Sequence, residues 1–224
     1  MVILYGTLGF HPEKLLGAIP SMKGHLERVV VYTATERGEA LRQSNKALSI
    51  VESTLSPMGV EMEHRTFSGP WDFCGIVNRL MKDLEKEDRE NVVFNLTGGP
   101  KTMTVAATIT CLFLGLRAMY VPEEEGNHEA IELPLFRIPY SSVLSQVQHK
   151  VLETIDEQEP ESLQELSSML NRSNATITFH VKKLEDMGAI RFEEDERSRS
   201  IRVPRLTSAG RIILTAQDIL SEKR

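Results

Sequence analysis

The sequence lacks any apolar run long enough to cross a membrane. The longest, Ala106–Leu116, is interrupted by two threonines and a glycine, whereas a membrane-spanning helix needs about 20 apolar residues. The first ten residues, MVILYGTLGF, contain no basic segment and are typical of a strand rather than a secretory signal. We therefore expect a cytoplasmic protein that has no membrane partner.

Cysteine is also scarce. The two cysteines, Cys74 and Cys111, lie in predicted helices, and neither has a partner at the spacing of a metal site. This argues against both a disulfide framework and a zinc cluster. We expect two buried free thiols in a reducing compartment, with no metal and no other resident cofactor.

The sequence also has no excess of basic residues. The formal net charge is −6, and residues 140–224 alone contain 12 Lys and Arg against 14 Asp and Glu. The sequence therefore excludes a protein that binds nucleic acid through a generally basic surface. Any DNA binding has to come from the local placement of a few cations.

What the sequence does contain, up to about residue 139, is an alternation of strands and helices. Strand patterns lie at residues 2–9, 28–34, 60–68 and 91–96, and helix patterns lie between them. Such alternation predicts an α/β fold with a Rossmann-like, mostly parallel sheet and helices on both faces. The segments LRAMYVP and HEAIELPLF are predicted to close this sheet as an antiparallel hairpin.

Residues 140–224 follow another plan. The order is helix, helix, helix, β-hairpin, helix, which is typical of a winged helix-turn-helix. Ser162 with Glu165 has the spacing of a capping box, and Gly188 is expected to end the third helix. We place the domain boundary near Pro139, giving domains 1–139 and 140–224. The apolar face of the last helix either packs on Val143 and Val147 or forms a dimer contact, and we slightly favour the dimer contact.

The segment Thr97-Gly98-Gly99-Pro100-Lys101 ends the most convincing strand and opens the most convincing helix. Glycines let a backbone approach a ligand closely, and proline suits a first helical turn. A helix N-terminus, Lys101 and the nearby threonine hydroxyls all favour an anionic or polar ligand. The first strand ends in a similar way, with Thr7-Leu8-Gly9-Phe10.

The turn alone is a weak signal. It matches neither the Walker A motif nor the dinucleotide fingerprint, and a tight turn with no ligand remains the alternative.

The motif NLTGGPKTM resembles the Thr-Gly-Gly-Thr/Asn-Lys-x-Met signature of the CRISPR-associated Rossmann fold, the CARF domain. The segment YGTLGFHPE is similar to the first-strand motif of CARF proteins that carry a winged helix, the archaeal CRISPR-linked transcription regulators. The resemblance covers the whole chain in architecture. Pro100 stands where the family often has Thr or Asn, which removes one hydrogen-bond donor.

The resemblance implies a homodimer in which both turns of each chain form one symmetric pocket. That pocket would bind a cyclic oligoadenylate second messenger, with cyclic tetra-adenylate as the first candidate. By position, the ligand-binding residues would be Thr7, Leu8, Gly9, Phe10, Thr97, Gly98, Gly99, Lys101 and Met103. The implied function is that of a ligand-responsive regulator of CRISPR-Cas loci in antiviral defence.

Two alternatives stay open. Some CARF proteins cleave the ring, and here Lys101 could stabilise charge while His11 or His64 assists proton transfer. No acid and base are paired at a telling spacing, so we expect no catalytic residues and no more than slow ring cleavage. A regulator that answers another nucleotide is the other alternative.

In the winged helix, the predicted recognition helix runs from Ser173 to Met187. We expect Ile177, Val181 and Leu184 to face inward and the polar residues to face DNA. Arginines of the wing are expected to contact phosphates of a pseudo-palindromic promoter duplex. The DNA-binding candidates are Asn174, Thr176, Thr178, Phe179, Lys182, Lys183, Arg197, Arg199 and Arg202. The acidic run at residues 193–196 favours the opposite interpretation, a winged helix that contacts protein only.

Overall fold

The structure, a computed structural model, describes residues 1–22, 24–35, 37–69, 71–122, 129–135, 144–195 and 198–221. Contacts divide the chain into two compact units, Met1–Ile138 and Pro139–Arg224. The residues on either side of this division, 136–143, lie outside the described part. Among the described helices, none combines the length and the apolar character needed to span a bilayer.

The first unit contains a six-stranded sheet. Its elements in chain order are β1 (Val2–Thr7), α1 (Pro12–Leu16), β2 (Leu26–Ala34), α2 (Gly38–Leu55), β3 (Glu61–Phe67), α3 (Phe73–Leu84), β4 (Val92–Asn95), α4 (Lys101–Leu114), β5 (Arg117–Tyr120) and β6 (Ile131–Leu133). The strand order is β3-β2-β1-β4-β5-β6. Strands β1 to β5 are parallel, and β6 pairs antiparallel with β5. The predicted α/β class, including the antiparallel closing pair, is confirmed.

The strand order reverses at β1. The chain builds β1, β2 and β3 outward in one direction and then returns to place β4 on the other side of β1. Because the strands are parallel, the carboxyl ends of β1 and β4 lie side by side at this switch point. In open α/β sheets, the crevice at such a point is the usual ligand site.

Alternating residues of the strands point to the two faces of the sheet, and each face packs against different helices. Leu4, Val29 and Val31 pack with apolar residues of α1 and α2 on one face. On the other face, the Tyr32 hydroxyl donates to Asp83 of α3, and the Tyr5 hydroxyl donates to Glu87. The apolar stripe predicted for α3, from Ile76 to Leu84, is fully buried.

Both cysteines are free, but only Cys111 has the expected burial. Cys111 is completely buried in α4, whereas Cys74 is half-buried in α3. Burial raises the pKa of the Cys111 thiol, which makes this side chain an unreactive part of the core.

The second unit has the predicted winged-helix order. It consists of α5 (Gln146–Gln158), α6 (Leu163–Met169), α7 (Asn174–Asp186), β7 (Ile190–Asp195), β8 (Ser198–Leu206) and α8 (Ser208–Ser221), with β7 and β8 antiparallel. Ser162 caps α6 by accepting from the Glu165 N–H, as predicted. The return bond differs, because the Glu165 carboxylate accepts from the N–H of Glu161 rather than that of Ser162. A complete capping box lies instead at α5, between Ser145 and Gln148.

Helix α8 is tied to α5 within one chain. Arg211 donates to Asp156 at 3.2 Å, and the His149 ring lies 2.7 Å from Asp218. The apolar side chains of Ile212, Leu214, Ala216 and Ile219 are buried in the single chain. Covering this face therefore does not require the dimer contact that we slightly favoured from the sequence.

Candidate functional site

The turns that follow β1 and β4 interlock at the switch point. A Cβ added to Gly98 would collide with the carbonyl oxygen of Thr7, and one added to Gly99 would come within 2.9 Å of the Thr7 Cβ. Gly99 also has φ +79°, in the left-handed region. The two turns can touch only because both residues lack a side chain.

The threonine hydroxyls around these turns bond to the protein itself. The Thr7 and Thr104 hydroxyls both donate to the carbonyl oxygen of Gly98. The Thr97 hydroxyl donates to Asn95 Oδ1 at 2.6 Å and accepts from the Val121 N–H at 2.8 Å. Both hydroxyls are therefore bonded within the protein, and their role as donors to a ligand stays a prediction.

Asn95, which the sequence analysis overlooked, ties helix α1 to the turn after β4. It is almost fully buried, and its Nδ2 donates to the carbonyl oxygens of Lys14 and Leu15 at 2.8 and 3.3 Å. Its Oδ1 accepts from both the N–H and the hydroxyl of Thr97. One side chain thus connects α1 with the glycine turn after β4.

A cavity of about 280 Å³ opens between the two turns. Its lining residues are Leu8, Gly9, Phe10, His11, Lys14, Ala34, Ser44, Thr97, Gly98, Gly99 and Pro100. A wider groove of about 630 Å³ over α1 and α2 shares Phe10 and His11 with this cavity.

Six of the nine predicted ligand residues line the cavity, and three do not. Thr7 is buried beneath the turns, and Met103 is completely buried in α4. Lys101 is exposed one residue beyond Pro100. Ser44 and Ala34 were missed because helix and strand periodicity assigns them to a core face. For all of these residues, contact with a ligand stays a prediction.

Positive charge lies on two sides of the cavity. Lys14 of α1 is part of the lining, and exposed Lys101 opens α4. Helix α4 begins at Lys101, with Pro100 as the N-cap residue rather than in the first turn as predicted. Proline has no polar side-chain atom, so the N-cap side chain makes no capping hydrogen bond. Because Pro100 lines the cavity, the N-terminus of α4, with the positive end of its dipole, lies beside it.

The two histidines considered for proton transfer lie in different places. His11 is exposed at the cavity, and its Nδ1 lies 2.9 Å from the Glu13 carboxylate. His64 is on β3, where its Nε2 lies 2.8 Å from the Thr33 hydroxyl and burial lowers its pKa. His64 does not contribute to the cavity lining. Within the described residues, no group of His, Cys, Asp and Glu could hold a metal ion.

In the second unit, α7 has the predicted faces. Ser173 caps it by accepting from the Thr176 N–H, and Ile177, Val181 and Leu184 are buried. The six candidates for DNA contact on this helix are all exposed: Asn174, Thr176, Thr178, Phe179, Lys182 and Lys183. The Thr176 hydroxyl lies 2.8 Å from that of Ser173, so one of its hydrogen bonds is made within the cap.

The wing is only partly described. Arg202 is exposed, and its guanidinium lies over the Phe192 ring, 4.6 Å from the centroid, and 3.9 Å from Glu185. Arg191 pairs with Glu193 at 2.7 Å. Arg197 lies outside the described residues, and for Arg199 only the strand backbone is described.

Two family models match different segments of the chain. Residues 2–134 match the Csa3 CRISPR-associated Rossmann-like domain, and residues 144–200 match the MarR family. No curated protein matches the chain.

The second match extends to solved structures. The transcriptional regulator BldR from Sulfolobus solfataricus is 29% identical over 37% of this chain and 59% of that chain, with a TM-score of 0.33. A probable transcriptional regulator from Pseudomonas aeruginosa is 24% identical over 37% and 63%, with a TM-score of 0.35. Wild-type MarR from E. coli is 23% identical over 37% and 67%, with a TM-score of 0.33. The chain thus spans about three fifths of the length of the first two structures.

Proposed function

The chain belongs to the Csa3 CRISPR-associated Rossmann-like domain family, and from that premise we propose that it binds a cyclic oligoadenylate and responds by changing its binding to DNA. Together with the MarR-family segment, family membership makes the chain a CRISPR-associated transcription regulator. The ligand, its site and the DNA response are the proposed part.

The cavity between the two interlocked turns carries this proposal. Three glycines bring backbone to its surface, and Lys14 and the N-terminus of α4 supply positive charge. Phosphate oxygens suit such a surface because amide hydrogens and a helix dipole attract them without a dedicated side chain. The exposed ring of Phe10 offers a face on which an adenine can stack.

The size of the cavity favours a shared ligand. About 280 Å³ lies just below the usual range for ligand pockets, so one protomer accommodates only a fraction of a cyclic tetra-adenylate. A ring with two-fold symmetry is matched by a homodimer in which each chain supplies half of the site. We therefore propose one ring for each pair of chains.

A homodimer would also carry two recognition helices. Two α7 helices related by a two-fold axis fit a pseudo-palindromic promoter duplex. The ring alters DNA binding only if it binds one arrangement of the two helices more tightly than the other. In this scheme the protein is a regulator and not an enzyme.

Calorimetry with a panel of cyclic adenylates tests the ligand. We expect one ring per two chains, and we expect Lys101→Ala to weaken binding about tenfold, since it removes one charge-assisted contact. Lys86→Ala, another exposed lysine of the first unit, is the matched control and should bind as the wild type does. Equal affinities for wild type and Lys101→Ala would remove Lys101 from the site, and an absence of heat with every ring would overturn the ligand proposal.

Duplex binding measured with and without the ring tests the response. We expect an affinity that changes with ring occupancy and falls steeply as salt is added. If the affinity is the same with and without a ring that calorimetry shows to be bound, the two functions are not coupled.

Ring cleavage is the second candidate, and the His11–Glu13 pair favours it. A carboxylate on Nδ1 leaves Nε2 of the same ring to accept a proton from a ribose 2′-hydroxyl. Incubation with labelled cyclic tetra-adenylate would give a linear product that His11→Ala fails to form. If the ring stays intact after long incubation, ring cleavage is excluded and only the sensor function remains. Competition with linear and dinucleotide ligands tests whether the site binds a different nucleotide.

A further inference from the structure

A large aromatic side chain is exposed in the middle of α7. Phe179 is 55% exposed, whereas the residues that face inward on the same helix are completely or almost completely buried. A solvated phenyl ring contributes nothing to the core of the winged helix. Its exposure on this helix therefore indicates a binding partner with an apolar surface.

The ring of Phe179 is held in place by two neighbours. The Lys183 ammonium lies over its face, 4.5 Å from the centroid. The His180 ring meets it edge to face, at 5.3 Å and 77°. A ring held on two sides presents a defined apolar edge to whatever approaches α7.

Polar and cationic side chains surround this apolar point. Asn174, Thr178 and Lys182 follow one another at intervals of four residues and form one stripe of the helix surface. Phe179 and Lys183 belong to the adjacent stripe. An apolar ring among hydrogen-bond donors and cations complements the floor of a DNA major groove, where one apolar group, the 5-methyl of thymine, lies among polar base edges.

We propose that Phe179 determines operator sequence by contacting the 5-methyl group of a thymine in each half-site. This proposal rests on the proposed DNA binding and adds to it a specific base and a specific atom. Lys183, held over the ring, is the positioning residue, and its ammonium remains available to a phosphate.

The experiment begins with a selection from random-sequence duplexes by the full-length protein. Each thymine of the enriched site is then replaced in turn by deoxyuridine, which differs only in lacking the methyl group. At one position per half-site we expect the wild type to lose roughly fourfold in affinity, as burial of one methyl-sized group implies. Phe179→Ala should bind the thymine duplex more weakly and should be insensitive to this replacement.

Two further variants keep the result interpretable. Phe179→Leu retains an apolar side chain and should retain part of the sensitivity to the methyl group. Met187→Ala removes an exposed apolar side chain beyond the end of α7 and should respond to uridine as the wild type does. Because Phe179 is largely exposed, its replacement should leave thermal unfolding unchanged.

Three results would overturn the proposal. Uridine that leaves wild-type affinity unchanged at every position shows that no methyl group is read. Equal losses in wild type and Phe179→Ala assign the methyl contact to another side chain. Failure to enrich any duplex removes the proposed DNA binding and, with it, the base contact of Phe179.

Discussion

The strand-end turns of the first unit and helix α7 of the second both contain asparagine, threonine and lysine, and they use these residues in opposite ways. At the switch point, Asn95, Thr7 and Thr97 bond to neighbouring backbone and shape a cavity. On α7, Asn174, Thr178 and Lys182 are exposed while the helix satisfies its own backbone. The polar side chains at the switch point are bonded within the protein, whereas those on α7 are exposed to a partner.

The largest effect that follows from this contrast is expected at Asn95. Asn95→Ala should lower the free energy of unfolding of the first unit by about 3 kcal/mol, because it leaves several buried partners without a hydrogen bond. Urea unfolding followed by circular dichroism measures the loss. Asn45→Ala, at an exposed position of α2, is the control and should change stability by no more than about 0.5 kcal/mol. A small effect at Asn95 would mean that α1 and the turn after β4 keep their positions without it.

A smaller loss of stability is expected at Gly98. Gly98→Ala places a methyl group against the Thr7 carbonyl oxygen, and such overpacking costs about 2 kcal/mol. A Cβ at Gly69 would meet the Asp72 Cβ at an ordinary 3.5 Å, so Gly69→Ala is a matched control for the added methyl. If both variants unfold at the same urea concentration, the turns are less tightly interlocked than the structure indicates.

Removing an exposed polar side chain from α7 should weaken DNA binding and leave the free energy of unfolding unchanged. Lys182→Ala should weaken duplex binding similarly for all sequences and reduce the slope of log affinity against log salt by about 1, if its ammonium neutralises one phosphate. Titrations at several salt concentrations measure this slope. A variant with altered sequence preference and an unchanged slope would assign Lys182 to a base instead of a phosphate.

The smallest effect is expected in the polar network on the sheet face beneath α3. A hydrogen bond from Arg65 lowers the pKa of Glu63 from its ordinary value of 4.5, despite partial burial, and Arg28 adds to the effect. Since the unfolded chain takes up the proton first, this stabilisation is present above the unfolded pKa and is lost as pH falls through the folded pKa. We expect Glu63→Gln to lower the free energy of unfolding at neutral pH by about 0.5 kcal/mol, a value reduced by solvent screening. The decrease in stability between neutral and acid pH should also be smaller in this variant than in the wild type.

Unfolding of Glu63→Gln at pH 7 and at pH 3 to 4 measures this difference. Glu52→Gln, on the exposed side of α2, should follow the wild-type curve at both pH values. A parallel loss in both variants would mean that general charge, and not the Arg65 contact, sets the decrease in stability at acid pH.

Local patterns were enough to predict most of the fold. Alternation of strands and helices gave the parallel sheet, and the spacing of Ile177, Val181 and Leu184 gave the buried face of α7. Because parallel strands end at one edge, the two glycine turns could be expected on the same side of the sheet. The proposed ligand came from the family resemblance alone, since local sequence patterns do not identify a ligand.

The parts that were missed depend on contacts between distant segments. Asn95 bonds to the carbonyl oxygen of Lys14, 81 residues away, and no local pattern predicts such a partner. Ser44 lines the cavity because α2 packs beside the switch point, although its spacing in α2 matches that of core residues. Pro100 precedes α4 instead of opening it because its backbone is extended, with ψ 141°, and sequence assigns helix boundaries least reliably.

The uncapped start of α4 links occupancy to thermal stability. The Pro100 carbonyl oxygen accepts from the N–H groups of Met103 and Thr104, but its side chain offers no acceptor, so an oxygen atom from outside the chain can take the place of the missing side-chain cap. Any compound that binds this place in the folded chain and not in the unfolded chain raises the free energy of unfolding, by about 2.7 kcal/mol at one hundred times its Kd, and so raises the melting temperature. A thermal-shift screen can therefore rank unknown anions and nucleotides without a radiolabel, a promoter or a second macromolecule.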